Sequence, residues 1–271
     1  MRTAWLLLAT IALAGGAEAR PAYHDWVAAD PQNILVIDSD HGRLYIELHP
    51  EIAPKAVERI KLLARRGTYD GLKFWRVSED FVVQTGDPGN VDGGKTELPN
   101  LKPEFTFRLT AAIAHTVYAR PQGISEGFIG ALPYNSVSED AKPKREDGSL
   151  YAWGTYCTGV MGMGRDQDRD TANSEIFFML KAYPGLDRDY TPVGRVLIGQ
   201  DVLAAMPKGE PPPDPDTMAR AQILADMKDA PKIEVLNTQG AEFARLVAKA
   251  RKARGADFSV CDVDVPARLV P

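Results

Sequence analysis

Strict alternation of apolar and polar residues marks the early chain. Leu44, Ile46 and Leu48 alternate with Arg43, Tyr45 and Glu47, the pattern of a strand buried on one face. Residues 34–38 (ILVID) form a second strand-like run, and turn chemistry over 38–42 joins the two as a hairpin. The period then changes. Ala53, Val57, Ile60 and Ala64 share one stripe of a helix over 54–66, with Arg65 and Arg66 suited to its C-terminal dipole and Gly67 to its stop. Two strands follow over 72–77 and 81–85, separated by Ser78, Glu79 and Asp80. A glycine-rich loop spans 86–95, and alternation returns over 104–109. Residues 110–156 are rich in Gly, Pro and aromatics and predict a long irregular region. Strands resume at 159–163, 176–180 and 192–198, followed by a short helix over 201–206. Pro211, Pro212 and Pro213 require a loop. The remainder predicts a helix over 216–227, a strand over 232–236 and a helix over 241–254. That last helix turns Phe243, Leu246, Val247 and Ala250 inward and a basic face to solvent. Many short strands with a few helices predict a closed antiparallel barrel with helical caps.

Composition narrows the function classes. A chain of 271 residues with 44% hydrophobic and 25% charged residues excludes wholesale disorder. A net charge of −5 argues against a dedicated nucleic-acid binder. Two cysteines exclude a multi-cysteine metal or iron–sulfur site. The first 19 residues read as a signal peptide: Arg2 is the positive start, 4–14 the apolar stretch, and Ala17, Glu18 and Ala19 an A-x-A cleavage site. That stretch is shorter than the roughly 20 residues a spanning helix needs, so the expectation is a periplasmic or secreted protein without stable membrane insertion. Export makes Cys157 and Cys261 either a disulfide or two unpaired buried thiols; spacing does not choose between them.

Three motif matches fail on physics. Gly89, Gly94, Lys95 and Thr96 fit the phosphate-loop spacing, but Pro99 and Pro103 oppose the helix that must follow. Gly123, Ser125 and Gly127 fit the nucleophile elbow, yet His24, His41, His49 and His115 all precede Ser125, and the segment reads as an ordinary loop. Asp166, Asp168 and Asp170 alternate as in a calcium loop, but Thr171 and Phe177 occupy the positions that need Gly and Glu. His41 and His49 flank one strand and read as surface residues. No cofactor or metal is expected.

One distributed set of segments holds together. Phe74, Trp75, Arg76 and Val77 are followed by 81–88 (FVVQTGDP), and downstream by 159–163 (GVMGM), 173–178 (NSEIFF), Leu186 with Asp187, and 190–196 (YTPVGRV). With 42–48, 53–57 and 69–71, this order of segments resembles the cyclophilins, the peptidyl-prolyl cis–trans isomerases. Coverage runs from about 34 to 206, interrupted by 110–156. The resemblance implies a mainly β fold, an eight-stranded antiparallel barrel capped by helices with a substrate groove on its outside. The family's catalytic Arg corresponds to Arg76, its Phe and Gln after the tight turn to Phe81 and Gln84, its groove-floor Phe to Phe177 and its proline-pocket Leu to Leu186. Val82, Glu175 and Tyr190 line the same implied site where Met, Gln and His are usual, and Gly164 and Arg165 replace an Ala-Asn pair.

The residues themselves agree. In the simplest hairpin register Arg76 faces Val82, with Gln84 diagonal on the same side. Turning an Xaa-Pro bond needs no covalent change, cofactor or metal. It needs a donor for the amide nitrogen once resonance is lost, and Arg76 is the candidate. Glu175 adds a carboxylate able to pair with Arg76. The expected domain layout is a cyclophilin-like domain over 30–238 with an inserted loop region at about 110–156, and a C-terminal helix–strand extension over 239–271 packed on the barrel. The insert is either a flap over one end of the groove or a neutral surface insertion. Expected partners are proline-containing peptides and unfolded exported proteins, with no nucleic acid. The alternative is a catalytically weak peptide- or protein-binding module of the same fold.

Overall fold

Alternation builds the first hairpin. Ile34–Ser39 pairs antiparallel with Gly42–Leu48, with Leu35 opposite Ile46 and Ile37 opposite Leu44. These four side chains enter one core cluster, while Ile34, Val36 and Tyr45 on the other face enter a second. Burial on both faces explains the uninterrupted apolar start of this segment. The computed structural model describes residues 25–86, 96–138, 140 and 145–270. The signal-peptide segment and nearly all of the failed phosphate-loop match lie outside these residues.

The hairpin sits within a nine-stranded antiparallel sheet. Its order is Leu72–Lys73, Thr217–Ile223, Ile34–Ser39, Gly42–Leu48, Pro192–Ile198, Val160–Met163, Ile176–Met179, Val82–Thr85 and Arg76–Val77. Only Phe74 and Trp75 separate the two edge strands along the chain, so the sheet curls back toward itself around the fully buried Phe74. The mainly β architecture is as expected. It is a curled half-barrel of nine strands, where the sequence predicted eight in a closed ring. The helix Pro54–Arg65 packs its apolar stripe, Val57, Ile60 and Ala64, onto this sheet beside the strand Thr217–Ile223.

Two predicted elements differ. Residues 216–227 form the strand Thr217–Ile223 and a short 3-10 turn, Leu224–Asp226, where a helix was expected. A register shift between Met218 and Arg220 breaks the period of two. The buried set Met218, Ala221, Ile223 and Leu224 therefore mimics helical spacing. Pairing with Ile34–Ser39 overrides the helix propensity of Met, Ala, Arg and Gln.

The larger correction concerns the insert. The expected inserted loop region is a second sheet of five antiparallel strands, ordered Phe107–Leu109, Leu150–Gly154, Leu132–Val137, Ile124–Ile129 and Thr116–Ala119. Ser125 lies inside a strand opposite Ser136, not in the ordinary loop that was expected. Gly127 is required there, because a Cβ at that position would collide with the carbonyl of Thr116. A third sheet joins Trp26–Ala28, Lys232–Leu236 and the tail strand Ala267–Val270. The tail helix Ala241–Arg254 packs Phe243 edge-on against Phe128 at 5.2 Å and Tyr118 at 5.5 Å. Cys157 and Cys261 are joined by a disulfide, which closes the alternative of free thiols. His41 is exposed as expected, but His49 is buried.

Candidate active site

The tight turn after Arg76–Val77 aligns the first two polar groups. Ser78 N–H donates to the Val82 carbonyl at 2.9 Å, and the loop between them carries Asp80 at φ 57°. Arg76 therefore stands directly opposite Gln84, and Val77 opposite Val83. The expected register, with Arg76 facing Val82, is two residues off. A slip of two keeps every side chain on its face, so Arg76 and Gln84 still share one side.

These side chains form a relay. Arg76 Nη1 donates to Gln84 Oε1 at 2.6 Å, and Gln84 Nε2 donates to Glu175 Oε1. Glu175 is buried under the groove and reaches Arg76 through Gln84, not by the direct pairing that was considered. The Arg76 guanidinium carbon lies 5.8 Å from the centroid of the Phe81 ring. A different carboxylate, Glu210, approaches Arg76 Nε at 3.2 Å.

An aromatic floor lies beside the relay. Phe177 sits in the strand Ile176–Met179 between Gln84 on one neighbour and Gly162 on the other. Its ring stacks on Tyr156 at 5.6 Å and meets the edge of Tyr190 at 5.6 Å. Gly162 makes room for it: a Cβ there would fall 2.5 Å from Phe177 Cζ and 2.7 Å from Tyr156 Oη. Leu186 enters from the 3-10 turn Pro184–Leu186. Arg76, Phe81, Val82, Gln84, Phe177, Leu186 and Tyr190 line one open groove with Gly164 and Arg165. Glu175 alone of the expected residues is not part of that lining. No described residue of 110–156 lines it either. The insert braces the groove from behind. Tyr156 backs Phe177, and Asp187 accepts from Tyr156 N–H at 2.9 Å and Thr155 Oγ1 at 3.0 Å. Burial raises the Asp187 carboxyl to about 6 against these hydrogen bonds.

Three residues at the groove escaped the sequence reading of roles. Arg165 lies over the Tyr190 ring at 4.4 Å and donates to Asp189 Oδ2 at 2.9 Å. Tyr183, an exposed aromatic, meets the Phe81 ring edge-on at 5.3 Å. Glu210 follows Gly209, whose backbone exchanges two hydrogen bonds with Val77 at 2.8 and 3.0 Å. Nothing local in the sequence signals that long-range bridge.

The site offers a fixed guanidinium beside an aromatic and aliphatic trough. Among the described residues, no three His, Cys, Asp or Glu side chains are grouped to hold a metal. Such a site suits the binding of a non-polar ring next to a polarisable amide. The model of the cyclophilin type peptidyl-prolyl cis-trans isomerase/CLD family matches residues 34–225. A probable peptidyl-prolyl cis–trans isomerase of Brucella suis biovar 1 is 31% identical over 208 residues, covering 74% of this chain and 87% of that protein. Peptidyl-prolyl cis–trans isomerase-like 1 of Mus musculus is 28% identical over 167 residues, covering 57% of this chain and 93% of the mouse protein. The crystal structure of cyclophilin AquaCyp293 from Hirschia baltica superposes with a TM-score of 0.82 at 32% identity, covering 90% of this chain and 93% of that one. The chain belongs to the cyclophilin family of peptidyl-prolyl cis–trans isomerases.

Proposed function

We propose that the groove isomerises Xaa-Pro bonds by hydrogen bonding from Arg76 to the twisted prolyl amide. The observation that carries this is the Arg76–Gln84–Glu175 relay set on the same side as the Phe177 floor. The barrier to rotation is about 18–20 kcal/mol because the planar amide is resonance-stabilised. At mid-twist the nitrogen becomes pyramidal and accepts a hydrogen bond, so a preorganised donor binds that state better than either planar isomer. Phe81, Val82, Phe177 and Leu186 grip the proline ring and exclude water, which strengthens the guanidinium's field. Gln84 fixes the guanidinium's orientation, and Tyr190 offers a hydroxyl to the substrate.

The N-terminal segment 1–19 supports an exported setting, and the proposed substrates are proline-containing peptides and unfolded exported proteins delayed at prolyl bonds. The decisive experiment is a peptide isomerisation assay of wild type and Arg76→Ala. Loss of one transition-state donor is expected to lower kcat/KM by about 100-fold or more with the fold intact by circular dichroism. An Arg76→Ala variant as active as wild type overturns the mechanism. A second reading, a peptide-binding module with little catalysis, draws on the carboxylates that engage the guanidinium directly and through Gln84. Peptide binding without isomerisation by wild type selects that reading.

A further inference from the structure

The catalytic-site arginine makes one hydrogen bond, at Nη1, and one ion-pair contact, at Nε. Gln84 Oε1 accepts from Nη1 at 2.6 Å, and Glu210 Oε2 lies 3.2 Å from Nε. Nη2 has no protein partner among the described residues. Turning the planar guanidinium about its Cδ–Nε bond would break the Gln84 hydrogen bond, and the Glu210 carboxylate holds the Nε edge by charge pairing without a hydrogen bond. We infer that Glu210 is a positioning residue, whose carboxylate draws the Nε edge of the Arg76 guanidinium toward itself by charge pairing so that the remaining donors are preorganised for the prolyl amide. This deepens the proposed isomerase mechanism and rests on it.

The carboxylate is itself held. Glu210 follows Gly209, and the paired backbone hydrogen bonds between Gly209 and Val77 fasten this loop to the strand that carries Arg76. Gly209 adopts φ 152°, and a Cβ there would fall 2.5 Å from Pro212 Cα, so the bend that presents Glu210 needs glycine. The Ser78 hydroxyl and then Arg76 hold the Glu210 carboxyl below its ordinary value, which keeps it ionised. The loop therefore reaches the arginine through one backbone bridge and one charged side chain.

The same facts separate positioning from mere support. Glu210 is 49% exposed and Arg76 29% exposed, and ion pairs this open add little to fold stability. A positioning role instead predicts an effect on turnover. Orientation of a donor matters when the amide is twisted, whereas the apolar trough dominates ground-state binding.

The test uses the full chain and a protease-free NMR exchange assay on an Xaa-Pro peptide, with kcat and KM measured separately. Glu210→Gln removes the charge at nearly constant size, and Glu210→Asp keeps it on a shorter stem. The expected result is a kcat about tenfold lower for Glu210→Gln, corresponding to about 1.4 kcal/mol in the barrier, with KM within about twofold and an unchanged unfolding midpoint. Glu210→Asp should recover part of that loss. A Glu210→Gln kcat within about twofold of wild type, or a change confined to KM, overturns the inference and leaves the isomerase reading standing. A wild type that binds the peptide but does not turn it overturns both.

Discussion

The groove-bearing sheet and the inserted sheet differ in how far their polar side chains are linked to one another. On the curled sheet, Arg76 and Gln84 on adjacent strands and Glu175, just before the strand Ile176–Met179, are linked by hydrogen bonds. In the inserted sheet, the hydroxyls of Thr116, Ser125 and Ser136 are buried with no hydrogen-bond partner. Their surroundings are apolar, with Phe128 and Tyr134 fully buried and Phe243 of the tail helix against Phe128. Unsatisfied hydroxyls carry a penalty, whereas a hydrogen-bonded relay orients a charged donor. The curled sheet thus holds the chemistry, and the insert with its tail holds the packing behind it. Variants on the two sides should separate activity from stability.

The disulfide is the largest expected stability effect on the packing side. It links Cys157, beside the insert's last strand, to Cys261 in the tail, across 104 residues of sequence. The chain-entropy model gives about 4.7 kcal/mol for a loop near 100 residues. The double variant Cys157→Ser, Cys261→Ser is expected to lose about 2–5 kcal/mol in urea unfolding, while kcat/KM of the folded fraction stays within about threefold. A collapse of kcat/KM without loss of stability breaks the division between the two regions.

Gly162→Ala probes the opposite side with a smaller change in stability. The new methyl would press on Phe177 and Tyr156 at once, and the tips of these two rings are what it meets. Overpacking of this kind costs about 1–3 kcal/mol. The displaced floor should raise KM for a proline peptide several-fold, read in the same isomerisation assay. An unchanged KM with a displaced Phe177 ring in a variant structure removes that ring from substrate binding.

Legibility in the sequence follows the same divide. The first hairpin was readable because Leu44, Ile46 and Leu48 alternate cleanly, and the helix Pro54–Arg65 because its stripe has one period. Arg76, Gln84 and Phe177 were readable because the segments around them resemble a known order, and their convergence on one groove follows from hairpin parity. The inserted strands were unreadable because the fully buried face of Ile124–Ile129 and Leu132–Val137 carries Ser125, Gly127 and Ser136, with Pro133 beside them, all loop-like in composition. The strand Thr217–Ile223 was misread because a bulge shifted its period. Glu210 was invisible because only a distant backbone bridge brings it to Arg76.

His49 sits on the seam between the regions and gives the finest test of how tightly they are joined. Its Nδ1 lies 2.8 Å from Glu51 Oε1 and its Nε2 3.2 Å from Glu47 Oε2. The same Glu47 oxygen accepts from Ala131 N–H, in the inserted hairpin, at 2.7 Å. Burial disfavours the imidazolium, but the two carboxylates together outweigh it and raise His49 from 6.5 to about 10. A base whose folded value is raised binds its proton more tightly when folded. Its stabilisation is complete below pH 6.5 and is lost as pH climbs through about 10. Within that window one proton changes stability by at most about 1.4 kcal/mol per pH unit. Wild type should therefore lose urea resistance from pH 7 to 10, and His49→Gln should flatten that slope. If the slope in the variant equals that of wild type, the charged seam contributes nothing to joining the sheets, and the apolar contacts and the disulfide hold them alone.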